Sequence, residues 1–397
     1  MQKFYFLNKL CRQKMIYQRL FRFCITGFLS LFILSPFFFD AQAQTGLLSD
    51  IKFKGDFRLR YENTSNSEPN SILLEGRNRL VVRFRAGFTK KISDIINFGV
   101  RLATGSSNDP NTADVTLGSF VNDLEISLDR LYLKISDNNF ALYGGKFTNP
   151  FQRTDLVWDG DVNPQGIAGS YTFNGSKKFI PKISGIFFVI DEHSGTDIPD
   201  SDMLGGQIQF STYPSEDFSI SLSGGYYDYD ITNLSKSTAD AGDTRSNNVI
   251  FDSSGIATAY VSDFDLLDVI TVLEYRGFGE RFPIKVVGDY VKNLGAEVDE
   301  DQGYAVDLFV GRASKKNDIR FRYGYSQTET DAVLAAFSND NTTIATNYKQ
   351  HTFTFDYVPF NNMILNLTWY VYKNNIVAAG VENEFISRLR LNAVVKL

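Results

Sequence analysis

From Ile51 to Tyr61 the chain alternates apolar and polar residues one by one. Ile51, Phe53, Phe57, Leu59 and Tyr61 fall on one side of an extended strand, and Lys52, Lys54, Asp56, Arg58 and Arg60 on the other, because successive side chains of a strand point to opposite faces. The same period returns as far as the C-terminus. Leu80, Val82, Phe84, Ala86 and Phe88 oppose Arg79, Arg83 and Arg85, and Ile96, Phe98, Val100 and Leu102 oppose Asn97 and Arg101. Leu131, Leu133 and Ile135 oppose Arg130, Tyr132 and Lys134. Further on, Ile319, Phe321, Tyr323 and Tyr325 oppose Arg320 and Arg322, and Phe353, Phe355 and Tyr357 oppose Thr352, Thr354 and Asp356. In the last stretch Ser387, Leu389, Leu391, Ala393, Val395 and Leu397 oppose Arg388, Arg390, Asn392 and Lys396. A wall with one greasy face and one face rich in guanidinium groups suits a closed barrel, with lipid outside and water inside.

The connectors follow a rule of their own. Short turns at 90–94, 137–139, 213–217, 314–318 and 359–362 alternate with long polar loops at 62–78, 105–123, 191–202, 228–248 and 328–347. Outer-membrane barrels have this asymmetry, with short periplasmic turns and long extracellular loops. Seventeen stretches alternate, an odd number that cannot return both termini to one side of a membrane. The short–long rule fails only near 249–277, where the weakest stretch, Val249 to Val261, is broken by Asp252-Ser253-Ser254-Gly255. Assigning it to an enlarged outer loop leaves an all-β fold, a transmembrane antiparallel β-barrel of 16 strands, with 18 as the alternative. About 22 residues per strand and connector fit strands of roughly 9–11 residues.

The first 43 residues read as a cleaved signal peptide. Lys3, Lys9, Arg12, Lys14, Arg19 and Arg22 precede an apolar run from Phe23 to Phe39 and the small-x-small site Ala41-Gln42-Ala43. The basic region is long, which makes Met15 an alternative start to Met1. Residues 44–397 then form one barrel domain in the outer membrane. Both cysteines, Cys11 and Cys24, lie in the leader, so the mature chain has neither disulfide framework nor thiol chemistry. Losing six basic residues and one acid leaves 34 basic against 45 acidic residues, a net charge of −11. That balance suggests no nucleic-acid partner. No segment beyond the leader is long and apolar enough for a membrane helix, and aromatics are abundant along the whole chain, with 35 Phe and 20 Tyr but only two Trp.

Closure of the barrel pairs the first strand with the last. Arg388 and Arg390 then neighbour Arg58 and Arg60, which neighbour Arg79, Arg83, Arg85 and, beyond them, Arg101. With Arg130, Lys134, Arg320 and Arg322, these are the expected pore-lining cations. Water and counter-ions screen such charges over about 8–10 Å, so the expectation is a solute-facing basic wall. The bland alternative is a set of ion-pair ladders that only brace the barrel.

The densest motif runs from Gly144 to Pro164, Gly-Gly-Lys-Phe-Thr-Asn-Pro-Phe-Gln-Arg-Thr-Asp-Leu-Val-Trp-Asp-Gly-Asp-Val-Asn-Pro. Together with Gly55-Asp56-Phe57-Arg58-Leu59-Arg60-Tyr61, Arg101-Leu102-Ala103-Thr104-Gly105 and Leu128-Asp129-Arg130, it resembles the putative porin family of Gram-negative bacteria, most strongly between residues 50 and 175. The resemblance implies an outer-membrane diffusion channel for small hydrophilic solutes and supplies no catalytic residues. By analogy with other 16-stranded pores it implies a homotrimer. Its further partners are outer-membrane lipid, lipopolysaccharide and the barrel-insertion machinery, which reads a terminal strand such as Phe385 to Leu397.

On its residues alone, the segment 148–166 is unlike the other loops. Two prolines, Phe151 and Trp158 favour packing over solvation, and Asp155, Asp159 and Asp161 carry charge. It is expected to fold inward as a constriction loop and set carboxylates opposite the arginines. The alternative is a loop packed outside on the rim. Asp159 to Asn163 mimics the start of a calcium loop, but Pro164 and Ser170 stand where Gly and Glu are required, so no metal site is expected.

Enzyme readings fare poorly. His193 and His351 stand apart, and neither a nucleophile elbow nor a phosphate-binding glycine loop is present. No catalytic residue and no cofactor are expected. The competing class is a non-conducting outer-membrane barrel with a structural or adhesive role.

Overall fold

A computed structural model of the protein describes residues 50–397 apart from 66–75, 110, 119–122, 175, 177, 195–198, 235–245 and 382. The expected signal peptide, 1–43, lies outside the described residues, as do parts of four long loops.

Sixteen strands form one closed antiparallel barrel: β1 (Ile51–Ser65), β2 (Arg77–Lys91), β3 (Ile96–Thr104), β4 (Ile126–Ser136), β5 (Phe140–Lys146), β6 (Gln165–Thr172), β7 (Phe179–Asp191), β8 (Ser201–Thr212), β9 (Phe218–Asp230), β10 (Phe264–Tyr275), β11 (Ile284–Asn293), β12 (Gln302–Gly311), β13 (Ile319–Thr328), β14 (Tyr348–Phe360), β15 (Met363–Asn374) and β16 (Ile386–Lys396). Each strand pairs with the next in sequence, and β1 pairs with β16 through ten register positions from Asp56↔Lys396 to Ser65↔Ser387. Closure leaves no sheet edge, which is what lets strands satisfy their backbone groups inside lipid.

The parity argument holds at its weakest point. Val249–Phe251 and Ala257–Tyr260 pair with each other as a small separate hairpin in the loop after β9, outside the barrel sheet. Short turns join β2–β3, β4–β5, β6–β7, β8–β9, β10–β11, β12–β13 and β14–β15 at one end of the barrel, and the long loops gather at the other. Asn317 and Asn362 adopt positive φ in two of these turns, a conformation that asparagine tolerates better than most residues.

Alternation sorts the two faces. Phe57, Leu59, Leu80, Phe84, Leu131, Leu133, Phe321, Phe355, Trp369 and Leu391 are exposed on the outer wall. Arg60, Arg83, Gln207, Asp268, Asp289, Thr352, Asp356 and Arg390 are buried on the inner one. So broad an exposed apolar belt is the lipid-facing band of a membrane barrel. Glycine clears space where an inner aromatic lies flat: a Cβ on Gly225 would meet the phenol ring of Tyr227, and one on Gly99 the ring of Tyr132.

Candidate functional site

Residues 147–164 leave the wall after β5, and their partners include inner-face residues of five strands. Gln152 and Gln207 on β8 exchange two hydrogen bonds, at 2.8 and 2.7 Å. Gln152 Oε1 accepts from Ser221 on β9 at 2.8 Å, and Thr154 donates to Asp289 on β11. Asp161 takes Arg85 Nη1 of β2 at 2.7 Å. Asn163 donates to Asp129 at 2.8 Å and accepts from Arg130 Nε at 2.7 Å, both on β4. A loop held by β2, β4, β8, β9 and β11 together lies within the barrel, not on its rim. Trp158 and Phe147 are fully buried.

A second loop, 329–347, also folds inward, and here the expectation of a solvated polar loop is corrected. Asp331 to Asn339 are all buried, with a short 3₁₀ turn at Ala335–Phe337. The run Ala332-Val333-Leu334-Ala335-Ala336-Phe337 is apolar enough to bury, and the lumen is where it finds apolar partners. Outer-loop residues anchor it: Asn247 donates to the Val333 carbonyl at 2.9 Å and accepts from the Ala335 amide at 2.8 Å, and Ser262 donates to Asp331 at 2.7 Å. Trp158, Phe337, Phe188, Tyr227, Tyr229, Leu266 and Val291 join one apolar cluster, which fills the lumen along β7–β11.

The opposite side carries the expected cations, and each position can be read. Arg58 and Arg60 both bond Asp114, and Arg83 and Arg85 share Asp56 at 2.8 Å. Glu62 is the hub of the seam: Arg79 reaches it at 2.6 Å and Arg390 at 2.7 Å, with Arg388 at 3.7 Å. Arg101 pairs with Asp129, Arg320 with Asp356 and Arg322 with Asp307. Arg130 bonds Asn163, and Lys134 lies over the Tyr143 ring at 5.4 Å. The arginine wall is therefore an ion-pair lattice as well as a surface. Asp56 and Glu62 share a strand face with Arg58 and Arg60, and at such spacing guanidinium groups and carboxylates bond in preference to remaining bare.

Asp114 has a separate origin. β3 reaches only Thr104, which leaves the upper part of β2 without a β3 partner; Val115–Thr116 takes that place, pairing with Val82 and Val81. The preceding residue is thereby delivered to Arg58 and Arg60. Burial pushes the Asp114 carboxyl up, but those two guanidinium groups outweigh it and hold the carboxyl at about 2.

Between the two infolded loops and the arginine lattice lies a polar cavity of about 180 Å³, room for about six waters. Arg58, Arg60, Arg83 and Arg390 line one side, and Asp155, Asp159, Asp161 and Asp340 the other. Burial, reinforced by Asp340 and Asp155, pushes Asp159 up to about 10. Burial likewise raises Asp155. A neighbouring cavity of about 230 Å³ shares Thr112 and Asp161 with the first, and a smaller one of about 40 Å³ shares Asp155 and Asn341.

This geometry can be set beside known proteins. The profile of a family described as "Putative porin" matches residues 63–260. The chain belongs to this family. Among solved structures, Pseudomonas putida OprB is similar with a TM-score of 0.56 at 13% identity, over 88% of this chain and 94% of that one. A loop L8 deletion mutant of OmpT, an outer membrane protein of Vibrio cholerae, gives 0.52 at 9% identity, over 87% and 99%. At such identities the likeness to both is one of fold. No curated protein matches the sequence.

Proposed function

We propose that this outer-membrane porin is a passive diffusion channel for small hydrophilic solutes, with the cavity between Arg60 and Asp159 as its narrowest selective point. The observation that carries the reading is the facing of charges: guanidinium groups of β1, β2 and β16 on one side, loop carboxyls on the other. Such a field orients polar solutes and disfavours apolar ones, which gain nothing from it and lose hydration. The lattice of arginines gives a mild anion preference, tempered by its carboxylate partners. A leader at 1–43 would deliver the chain to the envelope. Planar-bilayer recording on purified protein tests the reading, with discrete conductance steps as the expected result. Deleting residues 149–163 then raises step size if that loop sets the passage.

The buried aromatic cluster favours a second reading, a barrel closed by its loops and used structurally. It predicts bilayers without steps, and the same recording separates the two.

A further inference from the structure

The eyelet, the 180 Å³ cavity between the arginines and the loop carboxyls, is built by two infolded loops, and the second contributes a group unlike the rest. Asp161 is held by Arg85, and Asp114 by Arg58 and Arg60. Asp159 accepts the backbone amide of Asp161 at 2.7 Å, and Asn341 approaches Asp155 at 3.5 Å. Asp340, on the second loop, has neither an ion pair nor a hydrogen bond among the described residues, although it lines the 180 Å³ cavity directly. Its next neighbour fixes its place. The carbonyl of Asn341 accepts from Arg388 at 3.1 Å and its side-chain oxygen from Arg390 at 3.0 Å. The carboxyl is thus pinned at the cavity wall by the residue beside it, while its own oxygens stay available to whatever passes.

We propose that Asp340 is the specificity-determining residue of the passage: protonated, it leaves the arginines to favour anions, and ionised, it cancels that preference. The assignment rests on the diffusion-channel reading and adds to it the residue that sets ion selectivity. The charged groups facing Asp340 across the cavity are Arg58 and Arg60 of β1, Arg83 of β2, Arg390 of β16, Asp114 of the loop after β3, and Asp155, Asp159 and Asp161 of the first infolded loop. Burial, opposed by Arg390 and reinforced by Asp114, Asp161 and Asp109, pushes the Asp340 carboxyl up to about 7. Asp159 sits higher, at about 10, and Asp114 lower, at about 2, while burial raises Asp155 as well, so the step near neutrality is Asp340's where Asp340→Asn removes it and Asp155→Asn does not.

Reversal potentials in a KCl gradient across planar bilayers, recorded from pH 5 to 9 on the full-length purified protein, test this. The expected wild-type result is a chloride-to-potassium permeability ratio that falls about fivefold as pH rises, with its midpoint near 7. That is the weight of one unit charge roughly 8 Å from the permeating ions in a watery passage, because it acts with opposite sign on chloride and on potassium. Asp340→Asn should hold the ratio flat at its low-pH value, and Asp340→Glu should restore the step. Asp159→Asn should leave the midpoint where it was. A titration that survives in Asp340→Asn, or a flat wild-type ratio in a protein that shows conductance steps, overturns the assignment alone. A wild-type protein without steps overturns the channel reading and the assignment with it.

Discussion

The indole of Trp158 lies nearly parallel to the ring of Phe337, with centroids 6.2 Å apart and 16° between planes, and the Asp159 amide donates to the Phe337 carbonyl at 2.8 Å. The two loops that fill the lumen are thereby locked to each other as well as to the wall. Removing either ring should loosen both. Trp158→Ala and Phe337→Ala should each lower stability by about 3–5 kcal/mol and raise single-channel conductance and its noise. In a double-mutant cycle read by urea unfolding in detergent, the pair should couple by about 0.5–1.5 kcal/mol. Additive effects would mean that the loops are held separately.

At the barrel seam, one carboxylate serves three strands. Glu62 is 1% exposed and lies within ion-pair reach of Arg79, Arg388 and Arg390. Glu62→Gln leaves three guanidinium groups beside a neutral amide, so the cost should be that of breaking a buried pair, about 3–5 kcal/mol. Replacing Arg79 alone should cost less, because Arg390 keeps its partner. Refolding yield and unfolding midpoint of the two variants give the comparison.

Much of this was legible in the sequence, and the reasons are particular. Lipid contact forces Leu59, Phe84, Leu133 and Phe321 to one face whatever the loops do, so the strands and their number follow from period and parity. The first infolded loop announces itself through Trp158, Phe151 and two prolines in a segment that ought to be solvated. The second, 329–347, carries a comparable signal in the apolar run from Ala332 to Phe337, but without proline or tryptophan it reads as an ordinary long loop. The inward aromatics Tyr227 and Tyr229 left a trace too: Tyr226, Tyr227 and Tyr229 put aromatic rings on both faces of β9, a break in the alternation. Nothing local could pair Asp114 with Arg58 and Arg60, because that contact depends on β3 stopping short and Val115–Thr116 filling in along β2.

Asp161 offers a direct reading of lumen charge. It accepts Arg85 at 2.7 Å and lies 3.6 Å from Arg83, so Asp161→Asn removes one negative charge from the eyelet and frees part of two guanidinium groups. The chloride-to-potassium permeability ratio should rise about threefold to fivefold at low salt and much less at 1 M KCl, where the screening length shrinks to about 3 Å. An unchanged ratio at low salt would mean that permeating ions do not pass this point.

Asp114 supplies the clearest pH dependence of stability, and its sign can be worked out. Its carboxyl stands near 2 in the folded protein against 3.8 unfolded, so between those values the unfolded chain binds the proton first. Stability is then lost as pH falls through that window and is fully present above it. The difference is worth about 2 kcal/mol, carried by Arg58 and Arg60. Asp114→Asn should therefore be less stable than wild type by about that amount at pH 7. The gap should close steadily between pH 4 and pH 2, with both proteins measured by urea unfolding in the same detergent. Other carboxylates titrate in the same window, but they do so in both proteins and drop out of the difference. A gap that stays constant down to pH 2 would show that Asp114 acts through packing or through the Val115–Thr116 pairing, with its charge playing no part.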